Sequence, residues 1–556
     1  MTSHERPSDR TEWTLQIEGM TCGHCATTLD RSLRRVPGVV ESSTVYEDGV
    51  ARVITSGPVA AATLSSAIMS KGYRVVGESH RPLGGPRLDG EQTLDLLIVG
   101  GGSAAFAAAI RAADLGAQVA IVEAGAIGGT CVNIGCVPSK TMIRAAEVAH
   151  RAGHHAFAGV RARVEAPDLA AIVGQKDALV AELQQAKYWD VLAAYPSVML
   201  LRGHARFRPD GTIEVDGQPV AARKILLATG ASPWAPPIPG LDETPYLTST
   251  DALALQELPK RLVVIGGSAV GLEIAQLLAR LGSAVSVVEA IPRLVPAEDE
   301  EVSAGLTEAL QAEGLTIHAG VTVRRVAGRA GDIRVEIDDH GAVRTLHADQ
   351  LLVATGRRPN TRGMGFEEVG IRLGKKGEVI VDEHLETTRP GVYAAGDVIG
   401  DPAFVYVAAY AGNLAASNAL GDNAGRYDLR VVPRVTFTDP AVASVGLTEA
   451  QARAQGIDVA VSRLPMAYVP RAIAARDTRG LIKLVADKAT NLLVGAHIVA
   501  PEAGEMIQPA AMAIQFGIRI DEIARMLHPY LTNAEGLKLA CQVFEKDVAK
   551  LSCCAA

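Results

Sequence analysis

Six of the seven cysteines in this 556-residue chain fall into three close pairs, Cys22/Cys25, Cys131/Cys136 and Cys553/Cys554, leaving Cys541 alone. Paired thiols in a chain that is no disulfide scaffold favour metal binding or redox catalysis over structural bridges. The middle pair lies in GGTCVNIGCVPSK, five residues apart at the predicted start of a helix. A helix N-terminus attracts negative charge and lowers a thiol pKa, favouring the reactive thiolate. The last pair, in KLSCCAA, is vicinal. Adjacent cysteines bridge each other only in a strained ring, so a clamp for a soft metal is the better reading. The first pair sits in GMTCGHC, where a loop meets a helix, with His24 as a solvent-facing spacer between the thiols. Cys541, inside the apolar helical stretch LKLACQVF, reads as core.

These thiols need elements to position them. Residues 11–77 predict strand (Trp13–Ile17), helix (Ala26–Arg35), strand (Val39–Tyr46), strand (Val50–Ile54), helix (Ala60–Lys71) and strand (Tyr73–Val76), the order of a ferredoxin-like βαββαβ module. Residues 78–93, rich in Gly, Pro and charge, read as a flexible linker. Beyond it an internal echo appears: LDLLIVGGGSAAFAAAIRAADLGAQVAIVEA and RLVVIGGSAVGLEIAQLLARLGSAVSVVEA. In the first copy Gly100, Gly102 and Ala105 open the helix and Glu123 follows; in the second Gly266, Gly271 and Glu289 repeat the spacing. Each reads as a Rossmann βαβ. Small residues at the turn let backbone N–H groups and the positive helix end approach a pyrophosphate, and the glutamate accepts hydrogen bonds from ribose hydroxyls. Ser268 replaces the middle glycine of the second copy, which predicts weaker binding there. From about Val431 the pattern becomes mixed strands and helices, an α+β domain.

Length and a hydrophobic content of 48% predict three or four globular domains. Net charge is −8 and basic blocks are lacking, which argues against nucleic acid or an anionic membrane as partner. The polar N-terminus does not read as a signal peptide, and the most apolar window, 96–110, is too short and glycine-interrupted to insert in a membrane. A cytoplasmic protein is expected.

From about residue 94 to 546 the chain resembles the pyridine-nucleotide disulfide oxidoreductases, on GGTCVNIGCVPSK, ATG at 228–230, ATGRRPN at 354–360 and YAAGD at 393–397. The resemblance implies an FAD-binding domain in two parts (94–250 and 354–430), an NAD(P)H-binding domain (251–353) and a dimerisation domain (431–546). FAD would be held by the first glycine turn with Glu123, Gly129, Thr130, Lys140, Thr229, Gly230 and Asp397, the last bonding the ribityl chain. The nicotinamide cofactor would lie on the second turn with Glu289 and Gly356. Cys136 would be the flavin-proximal thiol and Cys131 the interchange thiol, and Lys140 and Glu273 would form the family's ion pair near the reactive flavin nitrogen.

Disulfide reductases of this family end in His-x-His-Pro-Thr-x-x-Glu. Here the sequence is LHPYLTNAEGLK, which places Tyr530 where the second, proton-shuttling histidine belongs. A tyrosine of ordinary pKa near 10 is a poor proton shuttle at neutral pH, so thiol–disulfide exchange should be crippled. The front module, with M-T-C-x-x-C, resembles heavy-metal-associated domains; a thioredoxin-like CxxC competes, but its aromatic neighbours and fold order are missing. Taken together, the three thiol pairs and Tyr530 resemble the mercury-reducing branch of the family. That likeness implies capture of Hg(II) from thiol complexes, or from a mercury transport protein, by Cys22/Cys25. The metal would pass to Cys553/Cys554 in the tail (547–556) and then to Cys131/Cys136, where it is reduced. It also implies Tyr188 beside the metal, and a homodimer in which Tyr530 and the tail reach the partner's site. NADPH is the implied donor, with NADH the alternative that Glu289 favours. The competing readings are a lipoamide dehydrogenase-like disulfide reductase and a metal carrier with a regulatory oxidoreductase core.

Overall fold

The computed structural model describes residues 10–20, 23–46, 48–56, 59–82 and 93–547. Cys22, Cys553 and Cys554 lie outside the described residues, as does the side chain of His24.

The front module has the expected order, with a four-stranded antiparallel sheet in which Arg10–Glu18 is flanked by Val50–Ser56 and Arg74–Pro82, and Val39–Val45 lies outermost. Trp13, Leu15 and Ile17 alternate into a core shared with Leu29, Leu33, Leu64 and Ile68 from the two helices Gly23–Leu33 and Ala61–Met69. One expectation is corrected. The segment assigned to the linker from residue 78 is strand as far as Pro82, with Glu78 opposite Leu15 and His80 opposite Trp13. It lies at the sheet edge, where polar and charged residues are tolerated and discourage further pairing, so hydrophobic alternation fails there although the ladder continues.

The two Rossmann units form separate parallel sheets. In the first, Leu94–Val99 is central, between Ala222–Leu227 and Val119–Glu123, with Val392–Ala394 returning from the far side of the sequence to pair with Ala222–Leu227. In the second, Arg261–Ile265 lies between Ala284–Glu289 and Gln350–Val353. The central strands read LDLLIV and RLVVI because helices or further strands cover both faces. Ser103–Asp114 packs on Val405–Leu420 through alanines so closely that a Cβ on Gly412 would stand 2.0 Å from the Ala104 carbonyl oxygen. The C-terminal unit is a five-stranded antiparallel sheet, ordered Arg434–Thr436, Ala441–Gly446, Leu493–Ala500, Leu481–Asp487 and Val459–Pro465, backed by Ala503–Phe516 and Glu535–Gln542. Cys541 is core there, its thiol pushed up to about 12 by burial. No helix of the described residues is long and apolar enough to cross a membrane.

Candidate functional site

Cys131 lies in the short helix Gly129–Asn133, and Cys136 is the first residue of the helix Cys136–Gly153. The turn before them needs glycine. Gly128 and Gly129 have φ of +104° and +62°, and a Cβ on Gly129 would come within 2.6 Å of Gly102 Cα. The dithiol segment is thereby seated directly on the first glycine turn. Both thiols are free, Cys131 half-buried and Cys136 exposed.

Their electrostatics are unequal. Cys136 is lowered to about 7, first by the hydrogen bond from the Cys131 thiol and also by the positive charge of Lys140. Cys131 is raised, chiefly because it donates to Cys136 and further through burial. One proton shared between two sulfurs leaves a single thiolate, and it sits on Cys136 at a helix N-terminus.

Lys140, one turn further on, reaches Glu273 across 2.6 Å. Glu273 belongs to the second Rossmann helix Ala269–Leu281, is buried, and accepts the Phe437 N–H at 2.9 Å with its other oxygen. The ammonium also stands 4.6 Å from the Phe437 ring centroid, a cation–π contact. Residues from all three core domains therefore meet beside the thiolate, and the expected ion pair is joined by Phe437, which sequence reading missed. A phenylalanine in VVPRVTFTDP gives no signal of charge contact.

Tyr188 lies in a π-helical turn, Gln185–Trp189, an irregularity that often marks function. It is buried edge-on against Phe106 with ring centroids 4.7 Å apart. Burial raises its pKa, opposed by a hydrogen bond with Ser103, and both thiols add to the rise. A Cβ on Gly128 would stand 3.4 Å from its Cε2, so the ring lies beside the turn that leads into the dithiol as well as in the core.

Both glycine turns are preorganised. Gly100 and Gly266 have φ of +113° and +115°, and a Cβ at either would collide with the carbonyl oxygen of Ala228 or Ala354 at 2.2 and 2.4 Å. Gly271 packs its helix so near that a Cβ would lie 2.1 Å from Gly266 oxygen, and Ala105 is fully buried beneath its own turn. Gly102 and Ser268 cap their helices with nearly the same extended geometry, φ −92° and −103°. That region suits any residue, so Ser268 carries no backbone strain. The ATG segments meet through the pair Ala231–Pro233 with Arg357–Pro359, and Thr229 Oγ1 donates to Asn360 oxygen at 2.8 Å. Gly230 and Gly356, at φ +70° and +118°, turn the two segments with open space around them.

Between Thr130 and Asp397 stands a second residue that the sequence reading did not single out. Arg357 donates to Thr130 Oγ1 at 3.2 Å and to the Ala231 carbonyl, and its Nε is 4.0 Å from Asp397. That Nε is buried without a hydrogen-bond partner, while burial raises Asp397. A cradle of bare glycine backbone beside a guanidinium whose Nε has no hydrogen-bond partner fits the pyrophosphate of a dinucleotide such as FAD. The cleft continues along Gly100, Glu123, Thr229 and Asn360.

Tyr530 belongs to the C-terminal unit. It is 54% exposed on the loop after Ile520–Arg525, beside Leu527 at 96%. Cys25 is half-buried in Gly23–Leu33. Among the described residues no cluster of three or more His, Cys, Asp or Glu could hold a metal ion.

Residues 94–412 match the pyridine nucleotide-disulphide oxidoreductase family, 432–541 its dimerisation domain, and 14–74 the heavy-metal-associated domain. Similar curated proteins include a mercuric reductase of Staphylococcus aureus, 45% identical over 97% of this chain and 98% of that protein. A mercuric reductase of Streptomyces lividans is 48% identical over 83% of this chain and 98% of its own length. Among solved structures, the HOCl-induced flavoprotein disulfide reductase RclA from Escherichia coli superposes with a TM-score of 0.73 at 31% identity, covering 81% of this chain and 99% of that one. LpdA from Mycobacterium tuberculosis gives 0.70 at 29% identity, covering 80% and 98%. The chain belongs to the pyridine nucleotide-disulphide oxidoreductases, in the branch of the mercuric reductases, with a heavy-metal-associated domain at its front.

Proposed function

We propose that this chain detoxifies mercury by reducing Hg(II) to Hg(0) with electrons from a nicotinamide cofactor, delivered through FAD to metal held by Cys131 and Cys136. The observation that carries this reading is a split one: the thiolate machinery at Cys136 is intact, while Tyr530 stands where a disulfide reductase needs a histidine. When bound, FAD supplies two-electron transfer between the nicotinamide and the dithiol side. The protein's own groups do the rest. The Cys136 thiolate offers a first soft ligand at neutral pH, and Cys131 gives up its proton as the metal takes the second position. Lys140, fixed by Glu273 and Phe437, offsets the negative charge gathered there. Two electrons pass to the metal, the Hg–S bonds break, and each sulfur keeps its electron pair, restoring the thiolates. A Cys131–Cys136 disulfide must be reduced before the metal can bind.

In this reading Cys22/Cys25 capture the ion, from thiol complexes or a mercury transport protein in the cytoplasm, and Cys553/Cys554 pass it inward. The exposed position of Tyr530 supports a homodimer in which that loop and the tail serve the partner's dithiol. Asp397, Thr130 and Arg357 hold FAD in place. The resemblance implies NADPH as donor, whereas Glu289 favours NADH. The test is oxidation of reduced nicotinamide with Hg(II) in excess thiol, against lipoamide and glutathione disulfide. Turnover that requires Hg(II) is expected, and rapid disulfide turnover without mercury would refute the assignment in favour of the lipoamide dehydrogenase-like alternative.

A further inference from the structure

We infer that Glu289 makes the second Rossmann unit a reader of an unphosphorylated ribose, so that this chain takes NADH in preference to NADPH. The inference rests on the proposed reading of that unit as the nicotinamide-cofactor site. Its ground is an exact repetition of contacts between the two units. In the first, Glu123 Oε2 accepts the Gly101 N–H at 2.7 Å and Oε1 accepts the Gly125 N–H at 2.6 Å. In the second, Glu289 Oε2 accepts the Gly267 N–H at 2.6 Å and Oε1 accepts the Ile291 N–H at 2.8 Å. The adenosine ribose of FAD carries a free 2′,3′-diol and no 2′-phosphate. A carboxylate clamped by the same pair of backbone donors, at the same end of the same strand, presents the same remaining lone pairs to the second nucleotide.

That clamp acts against a 2′-phosphate in two ways. Two N–H donors hold the carboxylate in place, so a phosphate dianion would meet a fixed like charge. The donors themselves, which might have cradled the phosphate, are already bonded to Glu289. NADPH sites ordinarily supply an arginine for this group. Arg293 is the arginine nearest in sequence, but its Nη2 donates to the Pro296 carbonyl at 2.7 Å, and its Nη1, buried without a hydrogen-bond partner, lies 3.8 Å from Glu300. It is turned into its own loop. Burial lowers the pKa of His318 on the neighbouring strand Thr316–Ala319. Ser268 adds a hydroxyl but no charge, in backbone geometry matching Gly102.

The test is calorimetric titration of the FAD-loaded enzyme with NAD⁺ and NADP⁺, which bind without reducing the flavin, and with 5′-AMP and 2′,5′-ADP as probes of the adenosine half. NAD⁺ should bind about tenfold or more tightly than NADP⁺, the discrimination expected of a fixed polar group matched to a hydroxyl. Glu289→Gln should bring the ratio to within about threefold of unity, because the shape is kept and the charge removed. Arg293→Ala should change neither constant by more than about twofold. Tighter binding of NADP⁺ to the unaltered enzyme, or about a tenfold loss of NADP⁺ affinity in Arg293→Ala, would overturn the inference while leaving the reductase reading intact. Failure of both dinucleotides to bind would refute the nicotinamide assignment of this unit, and the inference with it.

Discussion

Replacing Cys131 by alanine tests the source of thiolate character at the dithiol. In the structure Cys136 is lowered to about 7, with the Cys131 hydrogen bond the largest cause and Lys140 a smaller one opposed by burial. At pH near 7 about half of Cys136 is therefore thiolate. With the donor removed, Lys140 and the helix N-terminus remain, and they must still offset burial. A rise of about one unit follows, towards the ordinary thiol value of about 8.5. The thiolate fraction at pH 7 then falls from about a half to about a tenth, so alkylation of Cys136 by iodoacetamide should slow about fivefold. The assay is peptide-resolved mass spectrometry of alkylation rates from about pH 5 to 10, which separates Cys136 from Cys25 and Cys541. A midpoint that stays near 7 would show that Lys140 and the helix end suffice. A lower midpoint would refute the reasoning altogether.

Three further outcomes are expected. Gly102→Ala should leave thermal stability nearly unchanged, since its Cβ would stand 3.6 Å from Gly129 Cα, yet lower bound flavin on purification by filling the cradle. Gly412→Ala should lose about 1–3 kcal/mol in denaturant titration by forcing apart two packed helices, because its Cβ would lie 2.0 Å from the Ala104 carbonyl. Lys483→Met strips the cation from a cluster in which the buried ammonium lies 3.0 Å from Asp299 and from Glu449 and 2.9 Å from Glu301. It should cost about 3 kcal/mol near neutral pH. Glu449 is held below the usual carboxylate range by Arg453 and then Lys483, so the stability it adds is present above about pH 4.3 and lost as pH falls through its depressed value. The gap between variant and parent, followed by unfolding across acid pH, should therefore narrow on acidification.

Much of the site could be read from residue spacing because its chemistry is local. Cys136 at a helix start with Cys131 close before it, in a short helix of its own rather than at the same helix start as expected, and each glutamate about 20 residues after its glycine turn, are set by short stretches of chain. Lys140 and Glu273 needed the family resemblance, since nothing within either segment reveals a partner 133 residues away. Arg357 and Phe437 escaped because their roles arise only where distant segments converge. The strand to Pro82 escaped for a different reason: a strand at the edge of a sheet need not alternate. Ser268 is expected to weaken its turn; the φ at that position rules out backbone strain as the cause and leaves the side chain.

The junction of Lys140, Glu273 and Phe437 also bears on biosynthesis. Phe437 lies beyond both Rossmann units in the sequence, so a ribosome completes it late. Until then the ammonium beside Cys136 lacks its full setting, and Glu273 lacks the backbone donor that fixes its second oxygen. A growing chain with the dithiol already exposed therefore carries a less finished electrostatic frame around its most reactive sulfur.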